Sequence, residues 1–278
     1  SGGGGVYSSS GISADISIYG STIRDNEAMG SAPFTGNGGG AMFVDATVLI
    51  DSTTISGNRA SGSEDFTGSA GGLFLLDSKS IVVNSTISGN TADGDLTVQS
   101  TGIGGGIFAG GQSGPSQTKL INTTVAGNEA TVVGGGVAST SLGPETEFSF
   151  ANNIVATNMS PAGTNCAIVP GGSLSWNSLG HNLEDGDTCQ FDQPTDVVKI
   201  DPLLGPLQDN GGPTWTHALL EGSPAIDVGD AAVCDAPPVN GVDQRGVARP
   251  QLAHCDVGAF EALAPEYNIY LPQILQQP

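Results

Sequence analysis

An internal repeat limits the folds open to this chain more than any other feature of the sequence. Glycine clusters followed by apolar runs end at Gly5, Gly40, Gly72, Gly106 and Gly136, so that successive copies lie 35, 32, 34 and 30 residues apart. A second motif follows each cluster and reads T-T-I-S-G-N at residues 53–58. A unit this short cannot bury an apolar face by itself, and stacked units solve that problem by forming one continuous core.

Two apolar positions recur at fixed distances before the last asparagine of the second motif. Residues three positions before it are Ile23, Ile55, Ile87, Val125 and Val155, and residues eight positions before it are Ile18, Ile50, Val82, Leu120 and Phe150. The units hold short strand-like runs and leave no room for an amphipathic helix. The pattern predicts an all-β parallel β-helix of about five rungs over residues 1–165, one rung being one turn of the coil. The general handedness of parallel connections makes it right-handed.

The recurring asparagines form a column of their own, which we call the Asn column: Asn26, Asn58, Asn90, Asn128 and Asn158. We expect each side chain to bond the same residue one rung away and to tolerate left-handed backbone. Turn chemistry accounts for the column, so its predicted role is structural rather than ligand binding. The glycine clusters are expected at tight corners where side chains would collide.

The charge balance excludes several classes of partner. The chain has 28 acidic and 7 basic residues, a net charge of −21. Such a surface repels nucleic-acid backbones and anionic membranes, so neither is an expected partner. No apolar run approaches the ~18 residues of a membrane-spanning helix, so membrane insertion is not predicted. The composition fits an extracellular protein or a cation binder.

Four cysteines lie in the C-terminal part of the chain: Cys166, Cys189, Cys234 and Cys255. Their even number and similar spacing predict two sequential disulfides, Cys166–Cys189 and Cys234–Cys255, within a C-terminal capping module over residues 166–261. A four-cysteine zinc site is the alternative, although zinc ligands usually come in closely spaced pairs. Disulfides would place the protein in an oxidising compartment, secreted or at a cell surface.

Candidate catalytic or metal-binding groups are few. Asp45 and Asp77 each lie five residues after the last glycine of their cluster, which places them on adjacent rungs. Two such carboxylates either cap turns toward solvent, bind a cation such as calcium, or act as the acid pair of a hydrolase. Arg24 and Arg59 flank the Asn column on different sides, so they form no basic cluster of the kind that a polysaccharide lyase needs.

The predicted function is therefore non-enzymatic, without a required cofactor. A polysaccharide lyase or glycoside hydrolase built on the β-helix is the alternative. Two basic residues of the C-terminal part, Arg245 and Arg249, are expected to pair with carboxylates such as Asp227, Asp243 or Asp256, because buried charges are paired.

The C-terminal part resembles a known family. Its motifs occur in order as N-S-L-G-H-N-L at 177–183, D-P-L-L-G-P-L at 201–207, G-S-P-A-I-D at 222–227 and C-D-V-G-A-F-E at 255–261. They are similar to the choice-of-anchor Q domain of secreted bacterial β-helix proteins, and the glycine repeats loosely resemble polymorphic outer-membrane protein repeats. The resemblance implies an extracellular or cell-surface β-helix and no particular reaction.

The two ends of the chain suggest self-association. Ser1 begins inside a repeat, so no cap is predicted for the first rung, whose strand edge would be open. Residues 262–278 read as a linker and a strand-like tail in which Tyr267, Ile269 and Leu271 alternate with Asn268 and Tyr270. We expect head-to-tail association by strand addition, giving a fibre. Surface polysaccharide is a further expected partner, and a monomeric adhesin fragment is the alternative.

Overall fold

The computed structural model describes residues 3–31, 35–62, 67–95, 101–141, 143 and 145–263. In chain order the elements are β1 Val6–Tyr19, β2 Thr22–Arg24, β3 Glu27–Gly30, β4 Ala41–Asp51, β5 Thr54–Ser56, β6 Arg59–Gly62, β7 Leu73–Leu76, β8 Lys79–Val83, β9 Thr86–Ser88, β10 Thr91–Asp93, β11 Ile107–Gly111, β12 Ser116–Ile121, β13 Thr124–Ala126, β14 Glu129–Ala130, β15 Val137–Ser141, β16 Thr146–Ala151, β17 Ile154–Ala156, β18 Cys166–Val169, β19 Leu174–Ser178, β20 Leu183–Glu184, β21 Val197–Val198, β22 Leu204–Gln208, β23 Thr216–Leu219 and the short helix α1 Ala231–Asp235.

The strands confirm a parallel β-solenoid of about five turns. Equivalent strands of successive turns pair in parallel, and the described residues form three parallel sheets. The first sheet runs β18-β15-β11-β7-β4-β8-β12-β16-β19, with β1 paired to β4. The second runs β2-β5-β9-β13-β17-β20-β21 and the third β14-β10-β6-β3. The first sheet has two arms, because β4 bends at Asp45 and pairs with β7 before the bend and with β8 after it.

Stacked aliphatic side chains form the core, as the repeat predicts. Ile23, Ile55, Ile87, Val125 and Val155 pair directly from turn to turn, and none is more than 8% exposed. The second predicted column, from Ile18 to Phe150, is also in register. Each fully buried aliphatic side chain contributes about 1.5 to 3 kcal/mol. The continuous core therefore stabilises units that are too small to fold separately.

Aromatic side chains close the C-terminal end of this core. The rings of Phe148 and Trp176 stack with centroids 5.0 Å apart, and Phe191 meets Phe150 edge-on at 5.2 Å. The Trp176 Nε1–H donates to the Cys189 carbonyl over 2.7 Å. The segment that carries Cys189 and Phe191 therefore covers the end of the apolar core.

Parallel pairing of the coil continues past residue 165, the boundary predicted from the sequence. Strands β18, β19 and β20 pair in parallel with β15, β16 and β17, so the coil continues through a further partial turn. The repeat becomes hard to recognise there because the glycine cluster is lost, while the backbone pairing persists. Both predicted disulfides are confirmed, and Cys166 lies on this last turn rather than in a separate module.

The rest of the predicted C-terminal module packs along the side of the coil. Residues 201–261, here called the lateral module, fold back along the outer face of the second sheet. Thr54 Oγ1 donates to the Trp215 carbonyl, Thr86 Oγ1 donates to Gln244 Oε1, and the Ala259 N–H donates to Thr124 Oγ1. Threonine is both a good strand former and a hydrogen-bonding residue, so one column of hydroxyls serves the sheet and holds the module.

Candidate functional site

The side chains of the Asn column form a continuous hydrogen-bonded stack. The Nδ2–H of each member donates to Oδ1 of the next, over 3.0 Å from Asn26 to Asn58 and 2.9 Å from Asn58 to Asn90. The bonds from Asn90 to Asn128 and from Asn128 to Asn158 are also 2.9 Å long. The backbone N–H of each asparagine donates to the same Oδ1. The column is thus a structural element of the turn in each rung. Its hydrogen bonds all run the same way, from the asparagine of one rung to that of the next along the chain.

This direction gives the column two different ends. Asn158 donates to Asn165 Oδ1, and Asn165 donates over 3.1 Å to Oε1 of the buried Glu184. Glu184 also accepts bonds from the backbone N–H groups of Thr188 and Cys189. In all of these bonds the Glu184 side chain is the acceptor, so the run of donors and acceptors along the stack ends there. At the other end, no described residue donates to Asn26 Oδ1.

The expected left-handed backbone belongs to the residue before each asparagine, which corrects the prediction for the column itself. These preceding residues are Asp25, Gly57, Gly89, Gly127 and Thr157, with φ between 56° and 66°. The clustered glycines have a steric role, as expected. A Cβ on Gly72 would lie 2.5 Å from the Gly106 carbonyl oxygen and 3.1 Å from Asn90 Nδ2. The glycine cluster and the Asn column therefore depend on each other.

The two predicted carboxylates lie on adjacent rungs at the bend of the first sheet. Their preceding residues, Val44 and Leu76, are register partners, and both aspartates have positive φ. Asp45 is exposed. Asp77 Oδ1 accepts the Gln112 N–H over 2.6 Å and the Gly114 N–H over 3.0 Å.

These bonds decide the electrostatics of Asp77. Ser113 donates to Asp77 Oδ2 through its Oγ over 2.8 Å, in addition to its backbone N–H. Partial burial alone would raise the pKa of Asp77, but the hydrogen bonds from residues 112–114 outweigh it and lower the pKa. The carboxylate thus anchors the loop of the next rung. A calcium ion at Asp45 and Asp77 stays a prediction, and it would compete with these donors.

The predicted basic residues lie in three different settings. Arg24 pairs with Asp25 and Arg59 with Asp93, both at the surface. Arg245 pairs with Asp243 as predicted, and Nη2–Oδ2 is 2.7 Å. Arg249 instead pairs with a carboxylate outside the predicted set, Glu261, over 3.1 Å.

A buried charge cluster holds the lateral module together. It combines Arg245 and Arg249 with Asp243, Asp256 and Glu261, so carboxylates outnumber guanidinium groups. Burial is the main reason why the pKa of Asp256 is raised to about 6. Because the Arg249 side chain has no exposed surface and also donates to the backbone carbonyls of Asp256 and Gly258, the cluster is a folding element of the module.

One contact between coil and module contains a serine and a histidine. Ser88 Oγ lies 2.9 Å from His217 Nε2, and His217 Nδ1 lies 2.7 Å from the Gly205 carbonyl. The carbonyl fixes the proton on Nδ1, so Nε2 of the neutral ring accepts from Ser88. Burial lowers the pKa of His217 and keeps the ring neutral. Ser88 is 5% exposed, so the contact serves to join the module to the coil.

The first rung lies at one end of the described parallel pairing. Among the residues that the structure describes, strands β1, β2 and β3 each pair on one side only, with β4, β5 and β6. Val6, Ile16 and Ile18 pack against the core but are only partly buried. Tyr7 is 51% and Tyr19 57% exposed. The described part of this end thus presents unpaired backbone, apolar side chains and the free acceptor of the Asn column.

A cavity lies between the lateral module and the first two rungs of the coil. Its volume is about 280 Å³, and its lining consists of Thr22, Arg24, Thr54, Ser56, Pro213 and Trp215. Sequence reasoning missed it because Arg24 and Trp215 are far apart in the chain and belong to no shared motif. The predicted tail residues Tyr267, Ile269, Tyr270 and Leu271 lie outside the described residues.

Comparison with protein-family models, with curated proteins and with solved structures found no match. Among the described residues, no group of three or more His, Cys, Asp or Glu side chains is placed to hold a metal ion. No described helix is both long and apolar enough to cross a membrane. All four cysteines form disulfides, which indicates a protein that folds outside the reducing cytoplasm.

Proposed function

We propose that the chain is a non-enzymatic structural or adhesive β-solenoid of a bacterial cell surface, which assembles with further copies head to tail through its first rung. The observation that carries the proposal is that β1, β2 and β3 pair on one side only among the described residues. An open parallel edge is a template for a further strand, and natural solenoids normally cover it. A copy bound there makes a contact that does not close on itself and so propagates into a fibre.

The two ends of the coil favour the tail, rather than the last turn, as the segment that binds. If the last turn of one copy stacked directly on the first rung of the next, the Asn column would continue from Glu184 to Asn26. Glu184 Oε1 and Asn26 Oδ1 would then face each other as two acceptors, with no donor between them. The segment with Phe191 also covers the core at that end. The residues from Tyr267 to Leu271 have the alternation of a strand, and strand addition supplies backbone N–H groups to the open edge.

Charge sets the conditions for this assembly. Each copy carries a net charge of −21, so copies repel one another at low ionic strength. Salt screens that repulsion over about 10 Å at 0.1 M. We therefore expect association to strengthen with added salt, whereas a contact made by opposite charges would weaken.

Sedimentation velocity of the full chain and of a chain lacking residues 267–278 tests the proposal. We expect the full chain to form larger species as its concentration and the salt concentration rise, and the truncated chain to stay monomeric. A matched control replaces residues 267–278 by a Gly-Ser segment of equal length. If the full chain is monomeric at high concentration, self-association is refuted and a monomeric adhesin replaces it. If the truncated chain assembles equally well, the tail is not the occupant.

A further inference from the structure

The cavity between Arg24 and Trp215 has a preformed aromatic wall. The Trp215 carbonyl accepts the Thr54 Oγ1–H over 2.5 Å and the Gln244 Nε2–H over 3.1 Å. The neighbouring Thr214 Oγ1 donates to the Ser52 carbonyl over 3.0 Å. These bonds hold the backbone against the coil, while the indole remains 44% exposed. The ring is thus presented to solvent in a fixed position.

The rest of the lining is mostly polar. The guanidinium carbon of Arg24 lies over the Trp215 ring in a cation–π contact, 5.3 Å from its centre, and Arg24 Nε donates to Asp25 over 2.9 Å. This bond leaves the terminal nitrogens of the guanidinium group available to other acceptors. Ser56 lies in the cavity floor, one rung before Ser88, which the module covers through His217. The cavity therefore lies between the lateral module and the first two strands of the second sheet, β2 and β5.

We propose that this cavity binds one neutral pyranose unit of a surface polysaccharide. An apolar C–H face of the sugar ring stacks on the part of the Trp215 indole that Arg24 leaves exposed, and ring hydroxyls accept from Arg24 and bond to the hydroxyls of Ser56 and Thr22. The volume of about 280 Å³ is near the lower end for ligand sites, which suits a single sugar unit within a longer chain.

Charge selects a neutral sugar over an acidic one. Asp25 balances the charge of Arg24 at the cavity, and the net charge of −21 repels a polyanion. The same charge does not affect a neutral polyol, which needs both donors and acceptors. This inference deepens the adhesive part of the proposed function, and it does not depend on whether copies associate.

Calorimetric titration and tryptophan fluorescence with defined oligosaccharides test the site. The neutral probes are the hexasaccharides of cellulose, amylose, mannan and β-galactan, and the acidic probe is hexagalacturonate. We expect at least one neutral probe to bind and to shift the emission of Trp215, one of two tryptophans in the chain. Trp215→Ala and Arg24→Ala should each weaken that binding by about tenfold or more, through loss of the stacking face and of the donors.

Matched controls separate recognition from folding. Arg59→Ala removes a guanidinium group of equal exposure that also lies in a surface ion pair, and Tyr7→Ala removes an aromatic ring of similar exposure. Both should leave sugar binding unchanged. Trp215→Ala should keep the cooperative unfolding transition, because the hydrogen bonds of Trp215 to the coil are made by its carbonyl.

Three results would overturn the assignment: no neutral probe binds, hexagalacturonate binds more tightly than every neutral probe, or Trp215→Ala binds as the unchanged chain does. Sedimentation of the same variants reports on assembly separately. Sugar binding without larger species refutes self-association alone, and larger species without sugar binding refute the sugar site alone.

Discussion

Replacing Asn90 by alanine tests how much the Asn column contributes to the stability of the coil. Asn90 is completely buried in the middle of the column. Its Nδ2 donates to Asn128 Oδ1 and to the Ile55 carbonyl, both over 2.9 Å, and its Oδ1 accepts from the backbone N–H and the Nδ2 of Asn58. The change to alanine removes all four bonds.

The cost follows from what these partners lose. The backbone N–H of Asn58 loses its acceptor in a buried corner, which costs about 2 kcal/mol. Asn58 Nδ2, the Ile55 carbonyl and Asn128 Oδ1 each lose one bond, which costs about 1 kcal/mol apiece. We therefore expect Asn90→Ala to lower the free energy of unfolding by about 5 kcal/mol, a large effect for one polar side chain.

Guanidinium unfolding followed by far-ultraviolet circular dichroism measures this change. Asn26→Ala is the matched control, since Asn26 has one neighbour in the column and is partly exposed. It should cost about 1 kcal/mol. Asn90→Asp adds a second check, because an ionised carboxylate cannot donate to Asn128 and the aspartate should recover stability as the pH falls and it becomes protonated. The reasoning fails if Asn90→Ala is no more destabilising than Asn26→Ala.

Three further predictions concern packing and pH. Gly72→Ala should destabilise the coil by more than Gly89→Ala in the same unfolding assay. A Cβ at Gly89 meets open space, so Gly89→Ala should lower the free energy of unfolding by only about 1 kcal/mol, because of the φ of 64° at that position. Equal losses for the two variants would contradict the steric role of Gly72. Because burial lowers the pKa of His217, the contribution of this residue to stability is fully present above pH 6.5 and should be lost as the pH falls below that value. In melting curves, His217→Gln should reduce this loss of stability at low pH. The contribution of Asp256 to stability has the opposite pH dependence, because burial raises its pKa: the contribution is fully present below pH 3.8 and should be lost as the pH rises through about 6. Carboxyl NMR should find the pKa of Asp256 at about 6 rather than near 4.

The repeating part of the molecule was predictable because stacking imposes the same demands on every rung. An aliphatic residue such as Ile87 and an asparagine such as Asn90 recur for reasons that the neighbouring rungs share. The end of the Asn column was not predictable in this way. Glu184 replaces an amide by a carboxylate, 19 residues after Asn165, and nothing periodic marks that change.

The position of the lateral module on the coil escaped prediction for a different reason. Its contacts join residues as distant as Thr54 and Gln244, which are 190 positions apart. The motifs of this region indicated a C-terminal unit, but a motif contains no information about the face on which the unit packs. The cavity was unpredictable for the same reason. Arg24 lies on the coil and Trp215 on the module, and only the packing of the module on the coil brings them together.

Hydrogen exchange of the first rung tests most directly the claim that its open edge is the assembly surface. The amides of β1, Val6–Tyr19, that do not donate to β4 should exchange quickly in dilute full-length protein and slowly in concentrated protein, because a bound copy supplies acceptors to them. Amides of the interior strands β9 and β13 should exchange equally slowly in both samples, since they are already paired on both sides. Exchange of β1 that does not change with concentration would contradict the account.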